Sequence, residues 1–312
     1  MKIIQTFFLL LISGLCYSQI RTSEIGLITD NDLYTSSKND MYYTNGLTLF
    51  YRYVGKNSVE NEFKTTNQFY IGQNVYTPRY VNAEAVDDND RPFAGYLFAG
   101  YEKGFFKADS HAIKVGFAVG TIGPNSYAQG FQENFHKIFN YKNIYGWENQ
   151  IRNALAFQIN GLYFKKLSQN KIQNTFDLNW QSTADFGTIF TGMSTGLVAR
   201  IGFKKRLPLL NSSLLGASVG TSKYNYNEFY FYAAPSIRYQ VYDATIQGSL
   251  FSDTSPVTFP IEYFRFNAKA GLAYRRHNWN LSYAFVYTTK EVAESPAIGY
   301  FYGSIGVSVL LP

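Results

Sequence analysis

The sequence predicts an all-β fold, a closed antiparallel β-barrel that crosses a membrane with about twelve strands. Three observations carry that expectation. The chain opens on a secretory leader, it holds no apolar run long enough for a spanning helix, and its apolar residues recur with the period of a strand rather than of a helix.

In the leader, Lys2 precedes an apolar stretch over residues 7–15, and small residues follow at Cys16 and Ser18. Cleavage is expected after Ser18, because Cys16 and Ser18 then stand three residues and one residue before the cut. Leu15 before Cys16 fits a lipoprotein signal poorly. The expected organisation is a signal peptide over 1–18 and one barrel domain over 19–312. The single cysteine leaves with the leader, which excludes a disulfide framework and a cysteine-based metal site. A spanning helix needs about twenty consecutive apolar residues, and the mature chain offers no such run.

Composition narrows the choice without making it. Tyr and Phe number 27 each, aromatics reach 18% and charged residues only 16%. That balance suits lipid-facing strands bordered by aromatic girdles, and equally a large soluble β-sandwich. Alternation decides between them. Phe301, Gly303, Ile305, Val307, Val309 and Leu311 alternate with Tyr302, Ser304, Gly306, Ser308 and Leu310. Ile113, Val115, Phe117 and Val119 alternate with Lys114, Gly116 and Ala118, and Leu281, Tyr283, Phe285 and Tyr287 with Asn280, Ser282 and Ala284. In a barrel the small and polar set faces the lumen.

On this basis strands are expected near 22–31, 43–54, 65–76, 91–103, 110–120 and 150–166, then near 171–182, 188–204, 228–250, 261–276, 279–289 and 297–311. An even count places both termini at the periplasmic side, so the odd connections are extracellular: 32–42, 77–90, 121–149, 183–187, 251–260 and 290–296. The even ones are mostly short turns, such as His277-Asn278 and 167–170. Segment 205–227 is the long exception, and its semi-alternating stretch 214–219 is taken as turn rather than as a thirteenth strand.

Chemistry gathers in the first three outward connections. The first holds Asp30-Asn31-Asp32-Leu33-Tyr34, and Tyr42-Tyr43-Thr44-Asn45-Gly46 opens the next strand. Carboxylates, an amide and a hydroxyl at one rim are hard oxygen ligands suited to calcium; the same residues also suit an Asx-rich turn capped by its own side chains. The second ends in Asp87-Asp88-Asn89-Asp90-Arg91-Pro92-Phe93-Ala94-Gly95. Arg91 there suits recognition of phosphate or carboxylate, or neutralises the preceding acids. In the third, 127–139 has helical character with Phe131, Phe135, Ile138 and Phe139 on one face, flanked by Gln132 and His136 one turn apart. His136 is the one histidine assigned to the extracellular side; His111 and His277 fall at the periplasmic side. An imidazole titrating near neutrality can act as general base toward water, beside a calcium ion that stabilises an ester oxyanion. A lone histidine can equally be structural. No Gly-x-Ser-x-Gly elbow occurs.

At these residues the chain resembles the lipid A 3′-O-deacylases of Gram-negative outer membranes, over essentially the whole mature sequence. The blocks run in order: Asp30-Asn31-Asp32, Tyr43-Thr44-Asn45-Gly46, Gln73-Asn74-Val75-Tyr76-Thr77-Pro78 and Asp90-Arg91-Pro92-Phe93-Ala94-Gly95. Gly123-Pro124, Gln132 with His136, Gly146-Trp147-Glu148-Asn149-Gln150 and Gly196-Leu197-Val198-Ala199-Arg200-Ile201-Gly202 follow. Each block is weak alone; the ordered set is specific.

The resemblance implies a twelve-stranded outer-membrane barrel whose active site lies between the wall and a loop helix at the outer leaflet. It implies His136 as the base that activates water, with Asn31, Asp32 and Thr44 as the catalytic or calcium-binding cluster and Asp32 as a metal ligand. Gln132 and Arg91 would support substrate placement, and calcium would be the cofactor. The expected partners are lipid A or lipopolysaccharide and the surrounding outer-membrane lipids, not nucleic acid. Two departures stand out. Members of the family can carry lysine before the arginine of the Arg-Pro block where this chain has Asp90, and the chain ends Leu310-Leu311-Pro312 without the terminal aromatic usual in such barrels. The expected activity is hydrolysis of an acyloxyacyl ester. A passive porin-like or adhesive barrel and an outer-membrane phospholipase are the alternatives.

Overall fold

The computed structural model describes residues 21–35, 42–56, 58–59, 62–79, 89–108, 110–139, 144–168, 175–203, 206–220 and 226–312. The expected leader lies outside them. Twelve strands follow one another: β1 Ser23–Asn31, β2 Tyr42–Val54, β3 Phe63–Thr77, β4 Ala94–Lys107, β5 His111–Ile122, β6 Ala154–Lys166, β7 Phe176–Gly187, β8 Phe190–Gly202, β9 Glu228–Asp243, β10 Phe264–Arg276, β11 Trp279–Thr289 and β12 Gly299–Leu311. Each pairs antiparallel with the next, and β12 closes on β1 in the register Ser23↔Leu311 to Asn31↔Gly303. Closure leaves no strand edge unpaired, the condition for a sheet to sit in hydrocarbon.

The alternation expected from sequence sorts the two faces. Ile25, Leu49, Tyr51, Phe69, Ile71, Phe117, Val119 and Phe157 are exposed on the outer wall. Inward, Glu24 pairs with Arg52 at 2.7 Å and Glu102 with Lys114 at 2.5 Å. Aromatic contacts mark both ends of the outer wall, Phe203 on Phe229 at 4.5 Å and Tyr239 on Phe264 at 5.0 Å between centroids. The hairpin at His277 is as short as expected, with that residue at φ 56°.

Five expectations are corrected. The strands expected from 91 and from 150 begin at Ala94 and Ala154, because Phe93 and Trp147 leave the wall to pack on each other. The ninth strand stops at Asp243, whose side chain caps a short helix, Ala244–Gln247, by accepting from Thr245 N–H. The expected loop 183–187 belongs to β7, which stays paired with β8 as far as Asp185↔Gly192. Segment 206–220 contains no strand, as expected, yet it is no external turn. It folds into the periplasmic end of the barrel and fills it.

Leu209, Leu210 and Ala217 of that segment are buried against the inward Phe106, Ala112, Phe164 and Val198. Lys64 Nζ donates to the carbonyls of Leu210 and Ala217, and Arg275 donates to that of Asn211. Glu228 accepts from Ser212 and Ser213, and Glu24 from Ser218. Gly216 sits at φ 75°, and a Cβ there would lie 2.3 Å from the Arg52 guanidinium carbon. At the extracellular end Tyr43, Tyr76, Tyr96 and Tyr300 pack with Phe98, Phe190 and Tyr302 across the lumen. Between plug and aromatic layer remains a cavity of about 460 Å³ lined by Glu24, Arg52, Glu102, Lys114 and Lys269.

Candidate active site

β1 ends at Asn31, which is paired with Asn45 of β2. The ladder between β2 and β3 slips between Tyr43 and Asn45, so Thr44 stands out of register. Asn31 Nδ2 donates to Asn45 Oδ1 at 2.5 Å, while Asn31 Oδ1 accepts from the backbone of Leu33 at 2.7 Å and so caps a 3-10 turn over Asp32–Tyr34. The turn is locked further by Thr35, whose N–H and hydroxyl both donate to the Asp32 carbonyl. Asp32 and Thr44 are buried, and Thr44 Oγ1 donates to the Val75 carbonyl at 3.4 Å.

The turn lies on the outer wall. Gly303 shares the outward face of β12 with Phe301 and Ile305, and a Cβ on it would come within 2.5 Å of Tyr34 Cβ. Tyr283 Oη donates to the Tyr34 carbonyl from the same side. Asn31 shares this face with Ile25, so the Asx-rich cluster borders lipid rather than lumen.

Helix α1, Ala128–Phe139, covers the neighbouring strands. A 3-10 turn over Pro124–Ser126 and a left-handed Tyr127 at φ 57° reverse the chain onto the wall. Gly95 admits it, since a Cβ there would lie 2.1 Å from Ser126 Oγ and 2.3 Å from Ala128 Cβ. Gln73 Nε2 donates to the Ser126 carbonyl. Ala128 then packs with Val75, Phe93, Ile144 and Trp147. The helix is where the sequence placed it, but its buried face is not the expected stripe. Ala128, Gln132 and His136, spaced four apart, are buried, while Ile138 is 74% exposed. The polar pair is turned to the wall because the apolar cover arrives from outside the helix, from Phe93 and Trp147.

The structure thus sets Asn31 at the end of β1, Asp32 in the turn that follows and Thr44 on β2, and Gln132 and His136 on the helix that covers β3 and β4. Arg91 is elsewhere. It is 1% exposed in the barrel mouth, its guanidinium 4.7 Å above the Tyr76 ring, donating to Glu291 and, at 2.7 Å, to Thr245 Oγ1. Arg265 joins Glu291 at 3.2 Å and Asp243 at 3.4 Å. Burial works to raise the Glu291 carboxyl, but Arg91 and Arg265 outweigh it and hold the group below its ordinary value. A headgroup contact by Arg91 would require these pairs to open. Asp90 accepts from Tyr42 Oη at 2.6 Å and from the backbone of Arg79 at 2.9 Å.

The geometry makes an oxygen-rich turn at the end of β1 and, over β3 and β4, a helix with a buried histidine, both on the outside of the barrel. A family profile described as "Outer membrane protein LpxR" matches residues 4–311. The chain belongs to the LpxR family. That family comprises lipid A deacylases, ester hydrolases integral to the outer membrane. Among solved structures the chain is similar to LpxR from Salmonella typhimurium, at 20% identity and a TM-score of 0.74 over 92% of this chain and 100% of that one. It is also similar to the β domain of the Bordetella autotransporter BrkA, at 9% identity and a TM-score of 0.49 over 94% of this chain and 100% of that one. No curated protein matches. The LpxR likeness agrees with the twelve-stranded closed barrel.

Two residues of this corner carry no role in the sequence reading. Asn45 lies inside a quoted block, but its pairing with Asn31 depends on strand register. Trp147 also lies in a quoted block, and its indole Nε1 donates to Gln132 Oε1 at 3.1 Å. A lone tryptophan in a long loop was the available signal.

Proposed function

We propose that this LpxR-family chain hydrolyses the 3′-linked acyloxyacyl ester of lipid A in the outer leaflet, with His136 as general base and calcium as cofactor. The observation that carries the reading is the burial of His136, one helical turn from Gln132, on a helix packed over β3 and β4, with β3 paired to the strand of Thr44. A substrate anchored by its acyl chains in the leaflet reaches this face without entering the barrel.

His136 takes the proton from a water molecule as that water adds to the ester carbonyl, and returns it to the leaving alkoxide when the acyl carbon–oxygen bond breaks. Asn31 and Thr44 shape the polar side of the cleft, and Gln132 places the substrate. The residues present fit calcium. Among the described residues no three His, Cys, Asp or Glu gather at one point, so the fit rests on the Asp32 carboxylate together with neutral oxygens. Thr44 spends its hydroxyl proton on Val75, which leaves the oxygen's lone pairs to a cation, and the Asn31 amide oxygen has a second lone pair. Calcium prefers such hard oxygens. When bound it would supply positive charge to the carbonyl oxygen. A porin-like role is disfavoured, since plug and aromatic layer both cross the lumen.

The test is His136→Ala, read by mass spectrometry of lipid A from cells carrying each form with calcium present. Loss of at least about 10²-fold is expected for a missing general base, with the heat-resistant electrophoretic mobility of the barrel retained. An undiminished mass loss in the variant would overturn the reading. Chelation of calcium should silence the purified wild type, and calcium should restore it.

A further inference from the structure

Gln132 is fully buried and one of its two ends is spoken for. Its Oε1 accepts from Trp147 Nε1, while its Nε2 is buried without a hydrogen-bond partner among the described residues. The orientation of that amide does not depend on how oxygen and nitrogen were assigned. An indole nitrogen can only donate, so only the amide oxygen can face it, and a flipped amide would set N–H against N–H. Trp147 itself cannot turn. It is 1% exposed, its ring lies 5.0 Å from that of Phe93, and Phe93 is held in turn by its carbonyl accepting from Ile151.

A buried amino group with two unspent donors is costly to keep for structure alone, because desolvation is not repaid. A Leu or Met would fill the same space at less cost. Its place is one turn before His136 on the same helix face, so an acceptor that lies between helix and wall within reach of the histidine is also within reach of this amide. In ester hydrolysis that acceptor exists. Water adds to the carbonyl carbon, His136 receives the proton, and negative charge develops on the carbonyl oxygen before the acyl carbon–oxygen bond breaks.

We propose that Trp147 is a positioning residue for the hydrolysis, one whose indole N–H holds the Gln132 oxygen so that the Gln132 N–H donors stay directed at the ester carbonyl oxygen. The proposal rests on the reading of the site given above. It assigns Gln132 the donor's part and Trp147 the part of keeping the donor end forward.

Trp147→Phe keeps an aromatic ring against Phe93 and removes the N–H. With lipid A in calcium-containing mixed micelles, kcat is expected to fall about tenfold while KM stays within about twofold, because ground-state binding is little changed. Gln132→Met should lower kcat by about 10²-fold, the scale of a lost oxyanion donor. The double variant should be no slower than Gln132→Met alone, since the indole then has no amide to orient. An unchanged kcat in Trp147→Phe, a rise in KM instead, or effects that multiply in the double variant would overturn the proposal. Should Trp147→Phe fail to fold, Gln132→Glu decides. Its carboxylate still accepts from the indole but carries no N–H, so retained activity overturns the proposal and lost activity upholds it. If His136→Ala remains active, the underlying reading fails; if it is dead while Trp147→Phe is unimpaired, only this inference fails.

Discussion

Asp32 stands among the amides and hydroxyls of Asn31, Thr35 and Asn45, and its surroundings fix it before any ligand arrives. Asn31 caps the 3-10 turn that begins with it, and Thr35 clamps its carbonyl. Asp32→Asn keeps the shape and removes the charge. Because calcium affinity follows the number of charged ligands, the calcium concentration for half-maximal activity should rise roughly tenfold or more, measured by titrating chelated enzyme. A variant with an unchanged calcium requirement would remove Asp32 from the site. At this scale Asn31, Asp32, Thr44, Gln132 and His136 stand out in the sequence as candidates because they lie in ordered blocks of chemically marked residues. Asn45 and Trp147 were not, since each matters through a partner distant in the chain. Arg91 was legible as a rim residue, but the carboxylate that holds it, Glu291, stands two hundred positions away.

Helix α1 depends on one missing side chain. The wall beneath its first turn is Gly95, where any Cβ would strike Ser126 and Ala128. Gly95→Val should lift the helix start from β4, exposing the loop to protease and lowering activity at least about tenfold, as small displacements of positioned groups do, while the barrel keeps its heat-resistant mobility. Intact loop and full activity would show that the contact is dispensable. The rim pairs behave as a second element. Glu291 is held below its ordinary value of 4.5 by Arg91 and Arg265 against the pull of burial, so its folded state favours the charged form. Its contribution is present above that ordinary value and is lost as pH falls through the depressed one. Loop protection from protease should therefore persist down to about pH 4.5 and fail below it, whereas Glu291→Gln should show the failure at neutral pH. Helix and strand identities were legible from periodicity. The helix's buried face was not, because apolar cover from Phe93 and Trp147 left the polar side of α1 free to meet the wall.

For the whole molecule the decisive feature is a barrel filled from both ends. Segment 206–220 enters through the turn end and is held by Lys64, Arg200, Glu228, Arg275 and Glu24. Wild-type protein in planar bilayers should be electrically silent. Replacing 207–219 by a short Gly-Ser linker should give steady ion conductance while activity at the outer rim persists. Equal silence in both forms would mean that the aromatic layer alone seals the lumen. A filled lumen leaves the outer wall as the face a membrane lipid can reach, which is what the proposed function requires.

The sequence by itself determined strand number, closure and the outer-membrane class of the chain, because each of these follows from local pattern: a two-residue period, an even count and ordered motifs. Tertiary structure alone decided that Asn31 stands on the outer face of the wall, that segment 206–220 is a plug, that Arg91 is sequestered and that the Trp147 indole donates to Gln132. Those outcomes depend on register and on contacts between residues far apart in the chain. A slip of one residue exchanges the two faces of a strand, and no local pattern carries that information.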